Sequence, residues 1–458
     1  MMKRVHLIGI GGTGMSSIAR VLLEQGYTVS GSDRVLSSLA LDLRQSGAIV
    51  FIGHAAEHVN NVNLVVRSSA ISDDNPEVTA ALQRGIPVLK RQDFMHTLME
   101  NREVIAVAGS HGKTTTSAML AWSLMQIGMD PGYILGGVSS NLGNNAHAGR
   151  GSHFVIEADE YDNMFLGLDP AVILLTNVEY DHPDCFPTVA LYQAAFATFT
   201  HQLKPGGLLV TNADDTGAAA KIKDIPASAR AVTFGLNGIP EYKATNLRVN
   251  NAGGFSFSVQ AKGSAELIAS VNLQAPGEHN VRNALGVLAL QHALGYPVKK
   301  AADALSAYTG SGRRFEIVAE VDGITVVDDY AHHPSKIKAT LAAARSRFPL
   351  RRIVAVWQPH TYSRTQALEG DFIQSFHDAD LVVVTDIYAA REKPQDYSPA
   401  QLVSQMDYVS VLFIPEIPSV VDFLLGKLQP RDVLIVLSAG DADRVCREVQ
   451  VRLQERKG

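Results

Sequence analysis

Val104-Ile105-Ala106-Val107-Ala108-Gly109-Ser110-His111-Gly112-Lys113-Thr114-Thr115-Thr116 is the stretch that decides how this chain folds. Five apolar residues predict a buried strand, the glycines a tight turn, and the residues after Gly112 the first turn of a helix. Backbone N–H groups from Gly109, Ser110, His111 and Gly112 through Lys113, Thr114 and Thr115 then converge on an anion at a helix N-terminus. Lys113 bridges the β- and γ-phosphates of a nucleoside triphosphate, and the Thr114 hydroxyl ligates Mg²⁺. Most loops of this kind carry a further glycine where Val107 stands, so this is a shortened version. The alternative is a strand-to-helix turn that merely contains a lysine. Gly-Lys-Thr directly behind a buried strand is too specific for that, and the reading is a P-loop that binds ATP.

Upstream, residues 5–8 read as a strand, Gly9-Ile10-Gly11-Gly12-Thr13-Gly14 as a turn, and the apolar-periodic run to Leu23 as a helix. A second strand over 27–30 leads to Asp33, near the ~20-residue offset at which an acidic residue meets a ribose hydroxyl. The motif speaks for a diphosphate-bearing ligand; NAD, FAD and a UDP-sugar satisfy it equally. Leu64-Val65-Val66, followed by Arg67-Ser68-Ser69, places another strand end at the ligand crevice of a doubly wound sheet. The polar stretch 99–103 marks the first boundary.

Downstream, apolar runs at 154–156, 171–175 and 207–210 alternate with helical patterns and predict parallel strands. Residues 231–274, with runs such as Phe255-Ser256-Phe257-Ser258-Val259, predict a small antiparallel sheet attached to this core. Thr309-Gly310-Ser311-Gly312-Arg313-Arg314 marks the second boundary, and strands at 315–320, 353–357, 381–385 and 433–437 follow. The expected architecture is α/β in three domains. A Rossmann-like domain (1–100) precedes a central P-loop domain (101–310) with its extra antiparallel sheet, and a C-terminal Rossmann-like domain (311–458) follows.

With 458 residues the chain is too long for one ordinary domain. A hydrophobic fraction of 46% and a charged fraction of 19% are those of a soluble globular protein. The net charge of −6 leaves no basic footprint for nucleic acid. Cys185 and Cys446 stand alone, so neither a disulfide framework nor a cysteine metal site is expected. The N-terminal run reaches glycines after a few apolar residues and reads as a strand rather than a signal peptide. No apolar stretch approaches the ~18 residues of a membrane span. A cytoplasmic enzyme is expected.

Other chemistry-bearing residues fall at predicted strand ends. Glu157 stands where P-loop enzymes hold Mg²⁺, with Asp159 and Glu160 able to share the role or to cap a helix. Thr176-Asn177 leads into Asp181-His182, where a turn histidine is solvated, capping or a metal ligand. Gly277-Glu278-His279-Asn280 with Asn283 fits a plain helix cap as well as a ligand site. Asp328-Asp329-Tyr330-Ala331-His332-His333-Pro334 and Gln358-Pro359-His360-Thr361-Tyr362-Ser363-Arg364 carry clustered polar groups. The His332-His333 pair suits zinc, but no third ligand has evident spacing.

Together these blocks, with Gly312-Arg313-Arg314-Phe315 and Asp386-Ile387-Tyr388-Ala389-Ala390, resemble the Mur ligases, ATP-dependent amide-forming enzymes of peptidoglycan synthesis. The resemblance spans the whole chain in ordered blocks. It implies that Lys113 and Thr114 act on phosphate and magnesium, that Glu157 binds Mg²⁺, and that His182 holds a second ion. It implies that His279, Asn280 and Asn283 hold adenine, and that Arg313, Asp329, His333 and Arg364 face the reacting groups from the third domain. Gly11, Gly12, Thr13, Gly14, Asp33, Ser68 and Ser69 would line a UDP site. ATP, UDP-N-acetylmuramate and L-alanine are the implied substrates, for a monomer or weak homodimer. The 358–364 block favours alanine as acceptor, whereas Glu160-Tyr161-Asp162 is also similar to a sister ligase that attaches a recycled tripeptide. Thr361 stands where some members have arginine, and Ser438 where glycine is common. An NAD-dependent oxidoreductase would leave 109–116 without purpose. A non-enzymatic ATP switch would leave the His/Arg/Asp clusters of the third segment without one.

Overall fold

Runs such as Val433–Leu437 and Ile353–Trp357 are apolar at every position and buried at every position, as strands covered on both faces must be. In the computed structural model, which describes residues 3–264 and 266–455, such strands build three sheets. The N-terminal sheet is five-stranded and wholly parallel, in the order Ile49–Ile52, Thr28–Asp33, Arg4–Ile8, Leu64–Arg67, Val88–Lys90. The chain winds outward to both sides of Arg4–Ile8, so a crevice opens where the winding reverses. The strand expected at 27–30 runs on to Asp33.

The central sheet has ten strands. The P-loop strand Glu103–Ala108 lies inside it, between Pro170–Leu175 and His153–Glu157, both parallel to it. Helices Lys113–Gln126 and Glu278–Ala293 pack together over this sheet. Burial of nearly every residue from Asn280 to Gln291 explains why the second shows little sequence amphipathicity. The antiparallel strands Tyr242–Val249, Phe255–Ala261 and Leu267–Leu273 form no separate sheet. Phe234 and Gly235 pair with Tyr242 and Lys243, so these strands continue the central sheet at its edge.

The C-terminal sheet is six-stranded, with Glu316–Val321 antiparallel at one edge and the remaining pairs parallel. The glycine link ahead of it is stitched to the central unit. Gly312 N–H donates to Val138 O at 2.9 Å, Ser311 bridges to Ser139, and Thr309 N–H donates to Asn141 Oδ1 at 2.8 Å. One apolar cluster runs from Leu7 and Ile18 of the N-terminal unit into Phe154 and Phe165 of the central one. Among the described residues the C-terminal unit keeps two clusters to itself and joins none of the others. Both cysteines are free thiols. Among the described residues no helix is long and apolar enough to cross a membrane.

Candidate active site

The three units share one cleft of about 1010 Å³. Its floor is the P-loop, and the neighbouring strand end holds the loop in shape. Thr176 Oγ1 donates to the His111 carbonyl at 2.7 Å, and Asn177 accepts from His111 N–H at 2.8 Å while donating back to its carbonyl at 3.0 Å. Gly109 has φ +133°, and a Cβ there would stand 2.1 Å from Thr176 Oγ1, so only glycine fits. Lys113 Nζ donates to Gly109 O at 2.7 Å and to Glu160 at 2.6 Å. Burial alone lowers the Lys113 pKa, but Glu160, Asp159 and Glu157 outweigh it and keep the ammonium charged. Glu160 is fully buried, and burial pushes it up to about 7 against the pull of Lys113.

The three carboxylates of 157–160 have divided their work. Glu157 accepts from Thr114 Oγ1 at 3.0 Å and from Gly136 N–H at 2.8 Å. Asp159 lines the cleft and accepts from Tyr161 N–H at 3.2 Å, and Glu160 pairs with Lys113. A hydroxyl and a carboxylate oxygen side by side at the phosphate end are the hard donors that Mg²⁺ takes, so Thr114 and Glu157 fit that ion. His182 faces Glu160 Oε1 at 3.7 Å, and burial pushes it down to about 4, leaving a neutral imidazole.

The opposite wall comes from the C-terminal unit. Arg364 is buried and gives Asp181 an ion pair at 2.8 Å, which outweighs burial and holds that carboxyl well below its usual range. Its remaining donors lie 3.0 Å from His360 and 3.3 Å from His182. Arg313 is likewise engaged, with Asp328 at 3.1 Å and Ser438 O at 2.8 Å. Arg314, which sequence reasoning passed over, stacks on Tyr330 and comes within 3.5 Å of Thr114 Oγ1. Asp329 accepts from Phe315 N–H at 2.7 Å and Ala331 N–H at 2.8 Å, pinning the loops on either side. Of the paired histidines, His332 lines the cleft, whereas His333 turns toward His111 at a ring distance of 4.6 Å. Lys336 also lines the cleft and was not foreseen; burial, together with Lys113, Arg364 and Arg314 around it, pushes it down to about 8. Non-glycine residues with positive φ gather here: His182 (58°), Arg313 (56°), Thr361 (65°) and Ala390 (53°). Such backbone strain clusters at functional sites.

His279, Asn280 and Asn283 line the far end, where the start of helix Glu278–Ala293 meets the P-loop. A Cβ at Gly112 would stand 2.9 Å from Asn283 Oδ1. Gly277 is the N-cap of this helix and makes no side-chain cap hydrogen bond. At the rim, Thr13 and Gly14 reach the cleft, with Gly14 under the Arg91 guanidinium. Gly11, Gly12, Asp33, Ser68 and Ser69 lie behind them, off its wall. Asp33 accepts the Gly11 N–H at 2.9 Å, and Ser68 packs against Gly9.

A phosphate loop, a carboxylate beside it and a cationic wall on a separate unit define an ATP-dependent ligase, and the chain belongs to the Mur ligase family. The family's catalytic domain matches residues 4–103, its middle domain 107–291, and its glutamate ligase domain 313–440. The UDP-N-acetylmuramate–L-alanine ligase of Roseiflexus sp. (strain RS-1) is 42% identical over 460 residues, covering 96% of this chain and 97% of that protein. The crystal structure of UDP-N-acetylmuramate–alanine ligase from Thermotoga maritima is 29% identical and superposes with a TM-score of 0.82, covering 100% of both chains. A murein peptide ligase from Psychrobacter arcticus is 27% identical with a TM-score of 0.72, covering 98% of both.

Proposed function

We propose that this chain joins L-alanine to the lactyl carboxylate of UDP-N-acetylmuramate at the expense of ATP, an early amide bond of peptidoglycan. The observation that carries the reading is the single cleft in which the P-loop, the rim of the N-terminal glycine turn and a cationic C-terminal wall meet. The full-length relatives direct the choice of substrates. A carboxylate acylates poorly because its oxygen is a poor leaving group. Transfer of the γ-phosphoryl group makes an acyl phosphate, which the amine of alanine attacks, releasing phosphate and leaving ADP.

Lys113 neutralises phosphate charge as it builds. Thr114 and Glu157 would hold one Mg²⁺ and His182 a second ion, which would supply further neutralisation at the transferring group. His279, Asn280 and Asn283 receive the adenine end, and Thr13, Gly14 and the turn behind them the UDP-sugar. Arg364, fully engaged by Asp181, His360 and His182, anchors the third wall. Lys336 and Arg314, which also line the cleft, are the cations we assign to the acceptor's carboxylate. The closed wall excludes water that would hydrolyse the acyl phosphate. In this reading the enzyme is cytoplasmic, a monomer or weak homodimer, with domains that divide near 100 and 310.

The test offers UDP-N-acetylmuramate and ATP with L-alanine, glycine and the free tripeptide in competition, and reads the UDP-sugar product by mass spectrometry. Alanine product is expected to dominate, with glycine used measurably, since one methyl is worth only ~1–3 kcal/mol. A higher kcat/KM for the tripeptide would make this chain the recycling ligase.

A further inference from the structure

The sequence offers His333 no third metal ligand, yet the fold brings two partners to it. His333 is 2% exposed and its ring lies against that of His111, across the seam between the C-terminal and central units. Glu179, on the turn after Asn177, meets His111 Nε2 through Oε2 at 2.8 Å and accepts from Ser335 through its other oxygen. One ligating atom from each of His111, Glu179 and His333 lies within 4.8 Å of the others. We propose that these three side chains bind a borderline transition-metal dication, Zn²⁺ before others, at a position separate from Thr114 and Glu157, and that the bound metal clamps the C-terminal unit shut against the P-loop.

The donor set points to zinc. Two imidazoles and a carboxylate are zinc's nitrogen and oxygen ligands, whereas Mg²⁺ prefers oxygen throughout. Ligands at ~2.0–2.2 Å around a tetrahedral ion stand about 3.3 Å apart, so the trio needs to close by at most about 1.5 Å. The protonation states suit binding. Burial pushes His333 down to about 3 and lowers His111 as well, so both imidazoles are neutral. Burial opposes ionisation of Glu179, but His111, Ser335 and His333 together outweigh it and hold it at about 2. His111 Nδ1 is buried without a hydrogen-bond partner among the described residues, and it can take the ring proton when Nε2 turns to a metal. The contact of His333 Nε2 with Tyr180 O, at 3.3 Å, is long and readily exchanged. The Glu179 side chain is 43% exposed and gives an ion its way in. Lys336 opposes a dication's charge at His111, and burial with its cationic neighbours pushes it down to about 8.

Because His111 belongs to the P-loop and His333 to the C-terminal unit, a metal joining them holds the cleft closed. Zinc is then a reversible brake on any turnover that requires opening. This inference stands apart from the choice of substrates, because binding is measured without any.

The experiment titrates the metal-free full-length protein with ZnCl₂ by calorimetry, records visible d–d absorption with Co²⁺, and follows the radius of gyration by small-angle scattering. Tight binding, an imidazole-ligated Co²⁺ spectrum and a smaller radius reversed by EDTA are expected. Glu179→Gln should weaken Zn²⁺ at least about tenfold, while Glu157→Gln should not. If Glu179→Gln does not fold, Glu179→Asp, which shortens the arm, carries the same expectation. Undetectable Zn²⁺ binding, affinity unchanged in the Glu179 variant, or affinity lost in Glu157→Gln and kept in Glu179→Gln would each overturn the proposal.

Discussion

Lys113 is the residue on which phosphate chemistry at this site depends most directly. Its ammonium is held over the loop by Gly109 O and Glu160. Lys113→Met should lower kcat by about 10²-fold or more, the usual loss when a preorganised charge at a transferring group is removed. The variant should stay folded. Glu160, already pushed up to about 7 by burial, takes a proton once the neighbouring charge is gone. Thermal melting beside steady-state phosphate release checks both halves, and near-normal turnover in a folded variant would remove Lys113 from the mechanism. At this scale legibility divides by distance along the chain. Lys113, Thr114 and Glu157 announce themselves because a local motif or a strand end fixes their position. Glu179 does not, because its partner His111 stands 68 residues away and only the pairing of two strand ends brings them together. Nor could spacing separate Arg314 from Arg313: both line the cleft, but Arg313 is held by Asp328 and Ser438 O, whereas Arg314 reaches toward Thr114 Oγ1.

The elements themselves were largely legible. Uninterrupted Val/Ile/Leu runs give buried parallel strands, and glycine turns between strand and helix mark the loops. The edge of the central sheet was less so. An alternating run predicts antiparallel pairing, but whether that hairpin stands alone or joins a neighbour rests on the short pairing of Phe234 and Gly235 with Tyr242 and Lys243. The P-loop turn yields the sharpest test at this scale. Gly109→Ala forces a side chain into a backbone conformation reserved for glycine and into contact with Thr176. Backbone strain of this kind costs about 1–3 kcal/mol before the clash is counted. Chemical denaturation should show that loss, and equilibrium dialysis with ATP should show weaker binding. Unchanged stability would mean that the loop relaxes freely.

Across the whole molecule, the N-terminal and central units are joined by an apolar cluster and by a charged clasp. His147 bonds Glu24 at 2.7 Å and Asp130 at 3.0 Å, and the hydrogen bond to Glu24 is the main cause of its raised pKa. Glu24 and Asp130 are correspondingly lowered: burial raises both, but His147, with Ala148 N–H and Arg20 at Glu24 and with Arg150 at Asp130, outweighs it. The histidine's contribution is complete below its ordinary value of 6.5 and is lost as pH rises through the raised one. The carboxylates' contribution is present above their ordinary values and is lost as pH falls through the lowered ones. Docking of helix Thr13–Glu24 is therefore firmest in mildly acidic solution. Its amides should exchange hydrogen faster at about pH 8.5 than at about pH 6 after correction for intrinsic rates. His147→Gln should flatten that difference, and a difference that survives it would locate the pH dependence elsewhere. The C-terminal unit is held otherwise. Among the described residues it shares no apolar cluster with the rest, and its seam is polar, with Arg364 on Asp181, Arg391 on Asp184, Ser335 on Glu179 and His333 against His111 among its contacts. Swinging it away rehydrates a few charged groups and leaves every core intact, so the motion belongs to the microsecond-to-millisecond range of hinged units rather than to the slower scale of local unfolding. Every such opening returns water to the Arg364–Asp181 pair, so a solvent viscogen that slows kcat would mark product release as the pacing step.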